Sequence, residues 1–336
     1  MEKNFLEKIL ACPNCKGPVT INVEERDALG IKNGIVICQK CREEFPISDG
    51  IFYLRMLTKV TDNRGEAWSL NEFEERYDTL PIYKSAVEWG NLTGIPEEVT
   101  NFIYPKIKGR ILDWLMPKQG DLILDVGCGV GYFLFEILQK NYGMDMHMIG
   151  IDVAVPNIKS LRKRCKEENV KNIVCIVADC QNLPLLNNIV DINICSEVLE
   201  HVPSPALAIN EMARVLKKGG TLFISTPLEE SNKKWRRLSS PFRLAKNIIP
   251  FNKKTKPHNK GFDVPITSSE LKKILEEKLS ILTFEKNVIL PPEGYFKKLP
   301  RALTRMVVLI CGFIESRFKR AFQSLAMHAV IKAKKI

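Results

Sequence analysis

From residue 119 onward, the apolar positions of the chain change period at regular intervals. The runs "LILDV" (122–126), "HMIGIDV" (147–153), "NIVCIVADC" (172–180), "VDINICSE" (190–197) and "TLFISTP" (221–227) are short and nearly continuously apolar. That is the pattern of strands buried on both faces. Between them, "YFLFEILQK", "PNIKSLRKRCKEE" and "ALAINEMARVLKK" carry apolar residues at helical spacing, and the Gly-Gly after the last predicts a C-terminal cap. Strands alternating with helices predict a parallel sheet covered on both sides. Further on, "SSELKKILEEKL" predicts a helix, "ILTFEKNVIL" a strand, and 297–322 a basic amphipathic helix, with "LAMHAVIKAKKI" as a last strand.

Two stretches depart from this rhythm. Residues 231–260 are rich in Lys and Arg and contain no acid. Residues 1–57 hold "CPNC" (Cys12, Cys15) and "CQKC" (Cys38, Cys41). Each pair has the C-x-x-C spacing by which two thiolates grip one ion, and two pairs complete a tetrahedral four-cysteine zinc site. The gap between the pairs is long for a ribbon, and a hairpin would absorb it. So small a segment has little core of its own, so metal binding would supply folding free energy. Buried structural cysteines or a redox pair are the alternatives; two correctly spaced pairs favour zinc.

The chain has 336 residues, 45% hydrophobic and 26% charged, which is a globular composition. A net charge of +11 favours an anionic partner, nucleic acid or membrane surface, without choosing between them. The start, "MEKNFLEKILACP", is not a signal peptide, and "MVVLICGFI" (306–314) is too short to span a bilayer. Ten cysteines without a secretory signal point to a reducing compartment, so the expected location is cytoplasmic.

The chemistry starts at "LILDVGCGVGYF". Strand, glycine turn and helix open a nucleotide-binding unit. The glycines are Gly127, Gly129 and Gly131, spaced G-x-G-x-G; a dinucleotide turn needs G-x-G-x-x-G, and Tyr132 holds that third position. Asp125, just before the turn, would repel a pyrophosphate but suits a cofactor that presents a cation, such as S-adenosylmethionine. Asp152 ends the next strand and can accept the ribose hydroxyls. Asp179 ends the third and can accept from an adenine amino group. Three acids at successive strand ends form one site at the carboxyl edge of the sheet.

Two resemblances add to this. "LACPNCKGPV" with "VICQKCREEFPISDGIFYL" resembles the zinc ribbon of the tRNA-methyltransferase activator (Trm-type) family, often an activating or docking module. "ILDVGCGVG", "GIDV", "ADCQNLPL" and "DINICSEVLEHVPSPALAINEMARVLKKGGTLFISTP" resemble class I S-adenosylmethionine-dependent methyltransferases of the small-molecule and quinone branch. That resemblance implies a Rossmann-like α/β sheet of seven strands, the last antiparallel. It implies that Asp125, Gly127, Cys128, Gly129 and Gly131 hold the methionine part, Asp152 and Val153 the ribose and adenine, and Asp179 and Cys180 the adenine, with Ser196 and Glu197 beneath the sulfonium. The expected organisation is a ribbon over 1–57, a helical connector over 58–118, and a methyltransferase domain over 119–336. Basic insertions fall at about 229–262 and 291–323.

Methyl transfer is chiefly a matter of positioning, and an oxygen or nitrogen acceptor also needs a base. His201 and Glu197 in "SEVLEH" are the candidates, with His258 on the acceptor side. A solvated or structural role is the plainer reading for both histidines. No Asn- or Asp-Pro-Pro-aromatic motif follows the fourth strand, which disfavours amino methylation of adenine. The expected acceptor is a small or lipid-linked molecule, anionic in character, with peripheral membrane contact. A tRNA or rRNA methyltransferase is the second reading and a non-catalytic ribbon adaptor the third. In the 297–322 helix, Leu299, Leu303, Met306, Ile310, Phe313 and Ile314 form one apolar stripe flanked by Lys297, Lys298, Arg301, Arg305, Arg317, Lys319 and Arg320. The stripe is expected to pack on the core as a lid, with a membrane interface as the alternative.

Overall fold

The computed structural model describes residues 2–56, 94–238, 266–297 and 299–336. After a short helix α1 (Lys3–Glu7), the cysteine-bearing segment folds as β1 (Val19–Asp27), β2 (Gly30–Cys38), β3 (Glu44–Ser48) and β4 (Ile51–Tyr53). The β1–β2 hairpin lies between the two cysteine pairs and absorbs the long gap between them. Helix α2 (Glu97–Trp114) leads into β5 (Leu122–Val126), α3 (Tyr132–Lys140), β6 (His147–Asp152), α4 (Val155–Glu167), β7 (Ile173–Val177), β8 (Val190–Ser196), α5 (Pro205–Val215) and β9 (Leu216–Pro227). Then come α6 (Glu229–Leu238), α7 (Ser268–Glu276), β10 (Leu279–Ile289), α8 (Arg301–Phe322) and β11 (Ala326–Lys335). The basic segment 239–265, with His258, and most of the expected connector, 57–93, lie outside the described residues, as does Lys298.

The seven expected strands are present in the order β7-β6-β5-β8-β9-β11-β10, and β11 runs antiparallel to both its neighbours. The ribbon does not sit beside this sheet; it continues it. β4 pairs in parallel with β7, and one eleven-stranded sheet results. Leu54 N–H extends the pairing by donating to Val177 O at 3.0 Å. The other end of the ribbon grips the segment after β7: Ala11 N–H donates to Pro184 O at 3.0 Å, Leu186 N–H to Ile9 O at 2.9 Å, and Asn182 Nδ2 to Pro13 O at 2.8 Å. Arg162, buried on α4, fastens the hairpin by donating to Asp49 O and Asp27 Oδ2 at 2.8 and 2.7 Å. Gly50, at φ +77°, leaves room for that guanidinium; a Cβ there would lie 2.3 Å from it.

Two local expectations change. Helix α5 ends at Val215, and Leu216 already pairs with Val190, so the Gly-Gly lies within β9 and is not the helix cap. Helix α8 starts at Arg301, and its expected stripe faces outward: Leu303, Met306, Ile310 and Phe313 are 44–60% exposed. The buried positions are Thr304, Cys311 and Glu315, with Val307 and Val308 packed beside them. The cause is Glu315, whose carboxylate accepts from Val288 N–H at 3.1 Å and Ile289 N–H at 3.4 Å and pairs with Lys106. Backbone donors at the end of β10 need that acceptor, so helix α8 turns it inward at the expense of its apolar face.

Candidate active site at the carboxyl edge of the sheet

The glycine turn follows β5 with Gly127, Gly129 and Gly131 at φ +69°, +53° and +84°, a backbone that side chains disfavour. At Gly127 the space is also closed: a Cβ would lie 2.2 Å from Val198 Cγ2. Gly131 is the residue before α3, and a Cβ on it would strike Leu161 Cδ1 at 2.5 Å. The turn is held from below by Asp152, whose Oδ2 accepts from Gly129 N–H at 2.9 Å and from Asn157 at 3.2 Å, and whose Oδ1 accepts from Ala154 N–H at 2.8 Å. Three donors fill three of the carboxylate's roughly four acceptor positions, which leaves about one for a ribose hydroxyl.

Asp125 differs. It is 2% exposed, and its Oδ2 has no partner among the described residues. Burial pushes its carboxyl up to about 7, while Lys108 pulls it back. A buried carboxylate oxygen without a donor at the mouth of a glycine turn is the feature a cationic cofactor group would complete. Lys108, on α2, lies 4.0 Å over the ring of Tyr132; burial draws its ammonium down to about 8 against the attraction of Asp125, Glu197 and Glu136.

Asp179 stands two residues past β7 and accepts from Gln181 N–H at 2.8 Å; Gln181 Oε1 in turn accepts from Ser204 N–H at 2.9 Å. Cys128 and Cys180 are buried, and burial raises both thiols well above their ordinary range, so neither is a poised nucleophile. Val153 O accepts from Arg55 Nη1 at 2.8 Å, which brings the tail of the ribbon to the turn after Asp152.

Past β8 the character changes. Ser225 Oγ donates to Glu197 Oε1 at 2.8 Å, so the 2.8 Å contact between Ser196 and Ser225 hydroxyls runs from Ser196 to Ser225. Glu197 Oε2 lies 3.0 Å from His328 Nδ1. Glu197 holds φ +57°, a strained backbone for a glutamate. Glu200, buried, accepts from Thr226 at 3.1 Å; burial and then Glu197 push it up to about 7. His201 is 47% exposed, with Nε2 3.8 Å from Glu200.

The expected residues Asp125, Asp152, Asp179, Ser196 and Glu197 thus share one edge. Sequence reasoning missed His328, Lys108 and Arg55. A signal existed for the first: if the last strand is antiparallel, its beginning lies at the carboxyl ends of its parallel neighbours, where "LAMHAVI" places His328. Nothing in the pattern marked Lys108 or Arg55.

In the ribbon, Cys12, Cys15, Cys38 and Cys41 converge with all four sulfurs within 4.8 Å of one another. Around a zinc ion with Zn–S of about 2.3 Å, tetrahedral sulfurs stand roughly 3.8 Å apart. The contacts of 3.6 Å (Cys12–Cys41) and 3.4 Å (Cys15–Cys38) fit that cage. Burial opposes ionisation of Cys38, yet the N–H groups of Cys41 and Lys40 bring its thiol down to about 6, while burial pushes Cys12 up to about 12; the charge of a bound metal would supply what ionises the remaining thiols.

Comparison with known proteins matches residues 117–279 to a methyltransferase domain family and residues 3–50 to the Trm112p-like family. A ubiquinone/menaquinone biosynthesis C-methyltransferase of Ruegeria sp. is 30% identical over 145 residues, 43% of this chain and 56% of that protein. A ubiquinone biosynthesis O-methyltransferase of Paracidovorax citrulli is 34% identical over 119 residues, 34% of this chain and 47% of that protein. The chain thus spans about half the length of these curated relatives. A solved complex between the Haloferax volcanii Trm112 methyltransferase activator and the putative methyltransferase aligns at a TM-score of 0.49 and 16% identity, covering 75% of this chain and 99% of that chain. The two matches place a segment similar to a methyltransferase domain and a segment similar to a Trm112p-like ribbon in one polypeptide.

Proposed function

We propose that the protein is an S-adenosylmethionine-dependent methyltransferase acting on a small or lipid-linked acceptor. The observation that carries this reading is Asp125: buried, at the glycine turn, with one carboxylate oxygen unpartnered. It would hold the cofactor's ammonium. The glycine turn lets the main chain approach the methionine part, Asp152 and Val153 border the ribose, and Asp179 with Cys180 border the adenine. Bound there, the cofactor supplies a methyl group on a cationic sulfur. The protein's own part is to hold the acceptor in line, exclude water and take up the acceptor's proton; positioning alone is worth ~7–11 kcal/mol.

The relatives named for quinone biosynthesis support a small-molecule acceptor over a macromolecular one. An anionic or membrane-held acceptor is supported by α8. Leu303, Met306, Leu309, Ile310 and Phe313 are exposed on a helix that also carries Arg301, Arg305, Arg317, Lys319 and Arg320. Such a surface can enter a membrane interface and be drawn by anionic headgroups. Among the described residues no helix is long and apolar enough to cross a membrane.

Calorimetry of S-adenosylmethionine binding tests the first claim; absence of binding would sink it. Labelled methyl transfer into a cell extract, split into lipid, small-molecule and RNA fractions, tests the second. Label in RNA would replace the small acceptor with tRNA or rRNA. Binding without transfer to any fraction would favour an adaptor. Sedimentation with anionic and neutral vesicles tests α8, with Arg317→Glu/Arg320→Glu as the control; negligible binding throughout would remove the membrane reading.

A further inference from the structure

The acceptor side of the site holds a titratable pair that the glycine-turn chemistry does not use. β11 is antiparallel, so its first residues stand at the carboxyl edge, where His328 pairs across the sheet with Pro227 at the end of β9. His328 is 7% exposed. Its Nδ1 lies 3.0 Å from Glu197 Oε2, and the other oxygen of Glu197 is fixed by the Ser196–Ser225 hydroxyl chain. Glu197 is therefore held from two sides, on a backbone at φ +57° that the surroundings must enforce. Nδ1 meets the carboxylate as an ion-pair contact and not as an aligned hydrogen bond, and a proton held on Nδ1 by that charge leaves the basic lone pair on Nε2.

From the 3.0 Å pairing of Glu197 with His328 at the acceptor side of the carboxyl edge, we propose that His328 is the general base of methyl transfer and Glu197 its positioning partner. The inference rests on the methyltransferase reading. In the step, the acceptor's hydroxyl or amine proton passes to His328 Nε2. The acceptor lone pair forms the new bond to the methyl carbon, and the breaking carbon–sulfur bond leaves its electron pair on sulfur, which becomes a neutral thioether. The imidazolium so formed faces Glu197, which offsets its charge, and it returns the proton to water after product leaves.

Several charged groups surround the ring. Burial works against charging it; Glu197 outweighs burial, with Glu293 and Glu200 adding in the same direction, so His328 titrates above its ordinary value. Glu293 is itself raised by burial and by Glu197, with Lys297 opposing. His201 and Lys108 also act on Glu197. From β10, the ring's cross-strand neighbour is Asn287, which accepts from Lys319 at 2.7 Å.

The test has two readouts. The chain has four histidines, so side-chain NMR of histidine-labelled protein resolves His328 by comparison with His328→Gln. The expected result is a His328 that titrates above the free value and falls toward it in Glu197→Gln. No change in Glu197→Gln overturns the pair, and this holds whether or not the cofactor binds. In the second readout, His328→Gln should bind S-adenosylmethionine within about twofold of wild type. Its labelled methyl transfer should fall ~10²–10⁴-fold, the range expected for a lost base. Equal transfer by the variant overturns the base. Failure of the wild type to bind S-adenosylmethionine sinks the methyltransferase reading instead, and the titration still judges the pair.

Discussion

The carboxyl edge of the sheet has two halves, and they are built differently. On the β5–β6–β7 side, Asp152 and Asp179 accept only from amides: the main-chain N–H groups of Gly129, Ala154 and Gln181 and the side chains of Asn157 and Gln181. On the β8–β9–β11 side, Glu197 and Glu200 meet side chains: Ser225, Thr226 and His328. Amide donors do not titrate, so they form a fixed mould around Asp125, whose Oδ2 has no partner among the described residues. The second half has groups whose protonation states depend on one another. A mould suits a cofactor that is always the same; a titratable set suits proton transfer with an acceptor.

Substitutions in the mould should give the largest effects on cofactor binding. Gly127→Val combines an unfavourable backbone with a Cβ 2.2 Å from Val198, so S-adenosylmethionine affinity by calorimetry should fall by more than ~100-fold. Asp125→Asn removes a charge-assisted partner worth roughly 1.5–3 kcal/mol, about a 10- to 100-fold loss. That variant should also lose a pH dependence. Burial raises Asp125 to about 7, so its charged form is present above that pH and lost as pH falls through it. Wild-type affinity should therefore fall as pH drops through 7, while Asp125→Asn stays flat there. A wild-type profile that stays flat through pH 7 would mean that Asp125 does not meet the cation.

The ribbon sharpens the comparison, because at the carboxyl edge it meets the mould, through Arg55 at Val153 and through residues 182–186, while its Lys16 pairs with Glu211 on α5 at 3.0 Å. Purified protein should carry one zinc per chain by metal analysis, and Cys38→Ser should carry far less. Undiminished zinc in that variant would break the four-cysteine assignment. Since the ribbon grips residues 182–186 just past Asp179, chelation should also weaken cofactor binding, by a smaller factor than Asp125→Asn. The smallest effect is expected from Arg55→Ala. It removes one hydrogen bond to Val153 O, worth about 0.5–1.5 kcal/mol, or roughly a 2- to 10-fold loss of affinity. Neither ribbon change should alter the titration of His328.

The same division explains what the sequence disclosed. Much of the mould is local, Asp152 meeting Ala154 and Asn157 and Asp179 meeting Gln181, while the bond from Gly129 to Asp152 joins the ends of two neighbouring strands. Strand ends, glycines and acids therefore carried it in plain view, as the two C-x-x-C pairs carried the cage. The titratable half is assembled from distant residues, Glu197 with Ser225 and with His328, and no spacing rule links them. Helix α8 shows the same limit. Its period predicted a helix correctly, but the side it buries was decided by Val288 and Ile289 needing Glu315, a demand invisible along the helix. The pairing of β4 with β7 was likewise beyond pattern, because a parallel edge can take any strand of suitable length.

That pairing also bears on dosage. When an edge strand is completed by a separate protein, the fraction completed depends on how much partner the cell makes and on its dissociation constant. Here the completing strand is tethered to the edge it covers, and tethering replaces partner concentration with a fixed effective concentration, of millimolar order for short flexible links. Occupancy of the β7 edge is then independent of expression level and of dilution. A chain synthesised from its amino terminus also has its ribbon strands made before β7 emerges, so the open edge has no period in which it must wait for a partner.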